Sequence, residues 1–244
     1  QVPVAVVAVT KVDLIPEATL PARLAEIADT LAAQGVTGAE LVPCSATTAG
    51  GTDHLRQVLA RRFSALPARA APMGAFLPVD RAFTLAGRGT VVTGTLLGGA
   101  LAVGAALAVQ PSGAATVVRG LQARGAARER VAAGERVAVN LRGIALEDIA
   151  RGDVICTGGQ GATLCMDVRL TVSDTAPRPV KHMQDLRVLW GTAHEVATLR
   201  LMGGGQIAPG GAGLGQLRFR RPVVGFAGQA AVLRQLSPAA TLAG

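Results

Sequence analysis

The sequence predicts a multi-domain chain of α/β plus all-β class, in which an α/β unit is followed by two small β-barrels. Three observations carry that expectation. Residues 1–66 alternate strand-like and helix-like apolar patterns, residues 66–72 interrupt them with two prolines among small residues, and the rest reads as short β-rich runs parted by glycine turns. The expected spans are 1–66 for the α/β unit, 73–158 for the first barrel and 162–244 for the second.

In the α/β unit the run Val4-Ala5-Val6-Val7-Ala8-Val9 predicts a buried strand. Leu20, Leu24, Ile27 and Leu31 recur at helical spacing, and Gly35 predicts where that helix stops. Leu41-Val42-Pro43-Cys44 predicts a second strand. After the turn Thr47-Thr48-Ala49-Gly50-Gly51, Asp53 is the expected cap of a helix carrying Leu55, Val58, Leu59 and Phe63. Strands and helices in this order place ligands beyond the carboxyl ends of parallel strands.

Two polar loops fall at those ends. In Thr10-Lys11-Val12-Asp13, the Asp13 carboxylate can accept two parallel hydrogen bonds from the ring N–H and amino group of guanine, an edge that adenine does not offer. Lys11 can lay its methylene stem over the base. Thr10 stands where many GTPases carry Asn. Ser45-Ala46 can offer backbone N–H groups to the guanine carbonyl. No G-x-x-x-x-G-K-[ST] phosphate loop occurs in the sequence, and Gly203-Gly204-Gly205 and Gly210-Gly211, which lack the following Lys-Ser/Thr, read as turns. The chain therefore reads as opening inside a nucleotide-binding domain, with base recognition and without phosphate chemistry.

Residues 76–80, 90–95, 115–118, 136–140 and 153–155 are the strands expected of the first barrel. Gly158-Gly159-Gln160-Gly161 marks a break. Residues 167–172, 186–190, 196–202, 216–219 and 231–233 supply the second.

Net charge is +8, and Lys11 and Lys181 are the only lysines, so arginine carries nearly all the positive charge. Guanidinium groups pair with phosphate in a fork geometry, while 2% aromatic residues leave little for stacking on single-stranded bases. The uncharged stretch near residues 98–110 is too short and glycine-rich to span a membrane, and no hydrophobic leader opens the chain, which predicts a cytoplasmic protein with no membrane partner. Cys44, Cys156 and Cys165 read as small core residues. His54, His182 and His194 lack ligand or triad spacing, so no metal site and no catalytic residue is expected. Trp190 reads as core.

These motifs resemble the translational GTPases like elongation factor Tu, most closely their selenocysteine-specific members. Thr10-Lys11-Val12-Asp13 and Ser45-Ala46 resemble the guanine motifs, and Gly87-Arg88-Gly89-Thr90-Val91-Val92-Thr93-Gly94 resembles the signature of the second domain. Val79-Asp80-Arg81-Ala82-Phe83-Thr84, Gly191-Thr192-Ala193-His194-Glu195-Val196 and Val232-Leu233-Arg234 with Ser237-Pro238 and Thr241 are similar to the selenocysteine branch. The resemblance implies the C-terminal half of a P-loop GTPase domain, binding GTP or GDP through Thr10, Lys11, Asp13, Ser45 and Ala46. It implies a first barrel whose Asp80, Arg81 and Arg136 form a cationic pocket for the selenolate of selenocysteinyl-tRNA, and a second barrel that contacts the tRNA. It further implies delivery to a ribosome paused at UGA and contact with a selenoprotein mRNA hairpin through a region beyond residue 244. Mg2+ is implied only for an intact member, and GTP hydrolysis is not expected of this chain alone. A general elongation factor Tu-like fragment and a non-catalytic tRNA-binding β-barrel protein are the alternatives.

Overall fold

The computed structural model describes residues 6–33, 36–65, 74–158 and 161–244. Val4, Ala5, Gly35 and the boundary at 66–72 lie outside the described residues, as do Gly159 and Gln160 of the second break. The chain forms two compact units, Gln1–Arg69 and Ala70–Gly244.

In the first unit, β1 (Val6–Val9) and β2 (Glu40–Pro43) pair in parallel, with Val6 opposite Glu40 and Val9 opposite Pro43. Parallel strands need a crossover, and α1 (Leu20–Ala33) supplies it. The second helix, α2 (Thr52–Ser64), follows the loop after β2. Its start differs from the sequence reading. Gly51, not Asp53, is the residue before the helix, with φ 72°, and no side chain caps it. A Cβ on Gly51 would run into the Pro43 carbonyl oxygen, so the tight approach of this turn to β2 selects glycine over a capping side chain. Asp53 instead pairs with Arg56 one turn on, at 2.5 Å.

The second unit holds two large curled antiparallel sheets with separate hydrophobic cores, and two short two-stranded pairs, 100–102 with 130–132 and 180–181 with 206–207. The first sheet runs in the order 76–78, 154–156, 106–110, 114–123, 136–142, 89–95 and 81–85, with 126–128 added beside 114–123. In the strand Arg136–Arg142, Val137, Val139 and Leu141 point into the core and Arg136, Ala138, Asn140 and Arg142 point out, the two-residue period of a half-buried strand. The second sheet runs 163–171, 212–223, 193–202, 184–190, 231–234 and 241–243. Trp190 belongs to its core, 8% exposed, with its ring tilted against Phe219 at 5.5 Å.

A third apolar cluster of Phe76, Val154, Cys156 and Val224, with Leu97 and Phe226 against it, joins the two barrels. The Trp190 indole N–H donates to the Val224 carbonyl at 2.8 Å. Cys44 and Cys156 are buried, but Cys165 is exposed, on an outward position of the strand Thr163–Thr171. The His182 Nδ1 accepts the Leu201 N–H at 3.1 Å.

Candidate functional site

The parallel register of β1 and β2 brings their carboxyl ends level, so the chain leaves both strands on the same side. The Cys44 N–H donates to the Val9 carbonyl at 2.8 Å, and the Val12 N–H reaches the Cys44 carbonyl at 3.5 Å. The loops of Thr10, Lys11 and Asp13 and of Ser45 and Ala46 are thereby side by side. Lys11 takes the left-handed conformation, φ 60° and ψ 32°, and turns the chain into the short helical turn Val12–Leu14 that presents Asp13. A lysine at positive φ is a strained choice, and such residues concentrate where a loop must hold a particular shape. Thr10, Lys11 and Asp13 are exposed, and Asp13 has no ion-pair partner among the described residues.

Ser45 behaves differently from Ala46. It is 1% exposed, its N–H donates to the Gly50 carbonyl at 2.9 Å, and its hydroxyl accepts the Thr48 N–H at 3.2 Å. Both groups hold the loop closed. Of the pair, Ala46 is the exposed residue, with its N–H unpartnered among the described residues.

The second site lies on the outer face of the first barrel. Arg81 is opposite Thr93, Thr93 is opposite Ala138, and Thr95 is opposite Arg136, so the register sets Arg81 and Arg136 on one face across three strands. Asp80, fixed by its N–H to the Thr93 carbonyl at 2.7 Å, accepts from the Arg136 guanidinium at 2.7 Å. Its other oxygen faces Arg151 at 3.6 Å. Asp80 therefore divides its carboxylate between two guanidinium groups instead of gripping one with both oxygens. The hydrogen bond from Arg136 holds the Asp80 carboxyl below the usual aspartate range, with the charges of Arg136, Arg151 and Arg81 adding to it. Three arginines thus surround one acid, and their side chains are largely exposed: 60% for Arg136 and 64% for Arg151. The Thr93 hydroxyl between them is buried and without a partner among the described residues.

Arg151 was not singled out by the sequence. It sits in a turn after the short helical segment Leu146–Asp148, and no periodicity ties that turn to Asp80. Among the described residues no group of three or more His, Cys, Asp or Glu converges on a metal-binding arrangement, and no helix is long and apolar enough to cross a membrane.

Residues 89–156 match the family elongation factor Tu domain 2. Over 98% of its length the chain is 38% identical to the selenocysteine-specific elongation factor of Desulfomicrobium baculatum, and over 99% it is 31% identical to that of Escherichia coli K12. It spans 38% of the length of each. The apo structure of translation elongation factor SelB from Methanococcus maripaludis superimposes with a TM-score of 0.78 at 21% identity, covering 98% of this chain and 57% of that one.

Proposed function

Because this chain belongs to the elongation factor Tu-like translational GTPase family, in the branch of the selenocysteine-specific elongation factors, we propose that it serves GTP-dependent delivery of selenocysteinyl-tRNA to the ribosome at UGA codons. The observation that carries this reading is the cluster of Asp80 with Arg81, Arg136 and Arg151 on the first barrel. A selenol ionises more readily than a thiol or a hydroxyl, so a site with excess guanidinium charge favours selenocysteine over serine by attraction to the anion. Asp80 positions the arginines, and it leaves the cluster with a net positive charge.

In the proposal the first unit reads the guanine of GTP or GDP. The Asp13 carboxylate takes the ring N–H and amino group, the Ala46 N–H donates to the guanine carbonyl, the Lys11 stem covers the base, and Thr10 and Ser45 shape the loops. The nucleotide's phosphates and Mg2+ belong to parts of the family fold whose phosphate-loop string is absent from this sequence. The second barrel is proposed to contact the tRNA backbone. The selenoprotein mRNA hairpin is a proposed partner of the longer family protein, and the cytoplasm is the proposed compartment. We propose 1–66, 73–158 and 162–244 as the domain spans.

Competition between selenocysteinyl-tRNA and seryl-tRNA for the protein, at two salt concentrations, tests the reading. Arg136→Ala is expected to lower the preference for selenocysteinyl-tRNA by about tenfold, the size of one charge-assisted hydrogen bond. An unchanged ratio removes Arg136 from the pocket.

A further inference from the structure

Beside the acid that anchors the arginine cluster lies a four-residue turn, Ala150 to Asp153, which Asp153 closes on itself. The Asp153 carboxylate accepts the Ala150 N–H at 2.7 Å, and the Asp153 N–H donates back to the Ala150 carbonyl at 3.2 Å. The turn is bound to the segment that carries Asp80. The Val79 N–H donates to the Asp153 carbonyl at 2.8 Å, and the Gly152 N–H donates to the Val79 carbonyl at 3.1 Å. Gly152 has φ 98°, a conformation open to glycine and closed to most side chains. Arg151 therefore leaves the turn next to Asp80 and comes within 3.6 Å of it. The second barrel backs the turn from the other side. A Cβ on Gly152 would stand 3.3 Å from the Ala193 Cα, and Arg221, paired with Glu195, sets its charge near the half-buried Asp153.

We infer that Asp153 is a positioning residue for the amino-acid site and acts through Arg151: its carboxylate sets the turn that holds the third guanidinium beside Asp80. Arg151 needs that support because 64% of its side chain is exposed. A long exposed side chain loses most of the value of a charge contact to its own rotamer freedom unless its backbone is fixed. Neutralising Arg221 does not account for Asp153, since Glu195 already pairs with that arginine. What Asp153 alone supplies is the acceptor for Ala150. The inference rests on the reading of Asp80, Arg81 and Arg136 as the selenocysteine pocket, and it names the residue that decides how fully Arg151 joins them.

Competition between selenocysteinyl-tRNA and seryl-tRNA, run on Asp153→Ala, Asp153→Asn, Arg151→Gln and the double variant of Asp153→Ala with Arg151→Gln, tests it. Asp153→Ala removes the acceptor and should cut the wild-type selectivity about threefold. Asp153→Asn keeps an acceptor and should restore it. In the Arg151→Gln background Asp153→Ala should cost nothing further, because the residue it acts through is gone. Carboxyl-carbon NMR gives a reading without tRNA: Asp153→Ala is expected to move the Asp80 midpoint up as the Arg151 charge withdraws, and Asp153→Asn to leave it in place. Additive losses from the two substitutions, a loss in Asp153→Asn, or an Asp80 midpoint indifferent to Asp153→Ala overturns the assignment. Should Asp153→Ala not fold, the Asp153→Asn arms decide alone. A wild type without selectivity rejects the pocket reading instead, and the Asp80 midpoint then still decides whether Asp153 places Arg151.

Discussion

The Asp80 carboxylate lies 2.7 Å from the Arg136 guanidinium, although 56 positions separate the two residues in the chain. Asp80→Asn should release Arg136 and Arg151 from their set positions. Selectivity for selenocysteinyl- over seryl-tRNA is then expected to fall about threefold to tenfold, while thermal unfolding at neutral pH moves little, since exposed ion pairs add little stability. A variant with intact selectivity would show that Asp80 is a bystander.

The same pair has a pH signature. Asp80 has its pKa depressed, so its contribution is present above the ordinary aspartate value of 3.8 and is lost as pH falls through the lower, folded-state value. Carboxyl-carbon NMR is expected to place the Asp80 midpoint below 3.8, and Arg136→Gln should move it back up. A midpoint indifferent to Arg136 would contradict the assigned cause.

Asp153 runs the opposite way. Burial raises its pKa, against the pull of the Ala150 N–H at 2.7 Å and the Arg221 charge, so the protonated form suits the fold and stability is lost as pH rises through the raised value. Asp153→Asn keeps an acceptor for Ala150. It should raise the unfolding temperature relative to wild type at pH 7, with the gain vanishing below pH about 4.

Gly94 closes the signature Gly87–Gly94, and the reason is steric. A Cβ there would strike the Pro78 carbonyl oxygen and approach Leu77 Cδ2 to 2.7 Å. Gly94→Ala is expected to destabilise the first barrel by about 3 kcal/mol in urea unfolding. A cost near zero would mean that the strand Phe76–Pro78 can retreat.

The α/β unit was legible because its apolar residues obey clear periods: Leu20, Leu24, Ile27 and Leu31 lie on α1, and the two strand ends meet as the strand–helix–strand order requires. The barrels were legible as strand-rich, but individual strands were not. The run Ala106–Gln110 lies at the end of the uncharged, glycine-rich stretch near residues 98–110, and its two alanines have weak strand propensity, yet it holds a central place between 154–156 and 114–123 because Leu107 and Val109 fill the core. Arg81–Leu85 is likewise a strand, although it is half-exposed and its sequence carries little apolar alternation. Asp80, Arg81 and Arg136 were found by resemblance. The approach of Arg151 to Asp80 depends on register and long-range packing, which leave no local trace in sequence.

Trp190→Phe removes the donor to the Val224 carbonyl and should cost about 1–3 kcal/mol at the junction of the barrels. As the only tryptophan, Trp190 also reports that junction directly by its fluorescence in the wild type.

That junction leaves no slack. Phe76 and Phe226 meet edge to face at 5.1 Å, and a Cβ on Gly152 would stand 3.3 Å from the Ala193 backbone. Two modules packed in this way share one seam, so a change of side-chain volume on either face of it disturbs the packing of both.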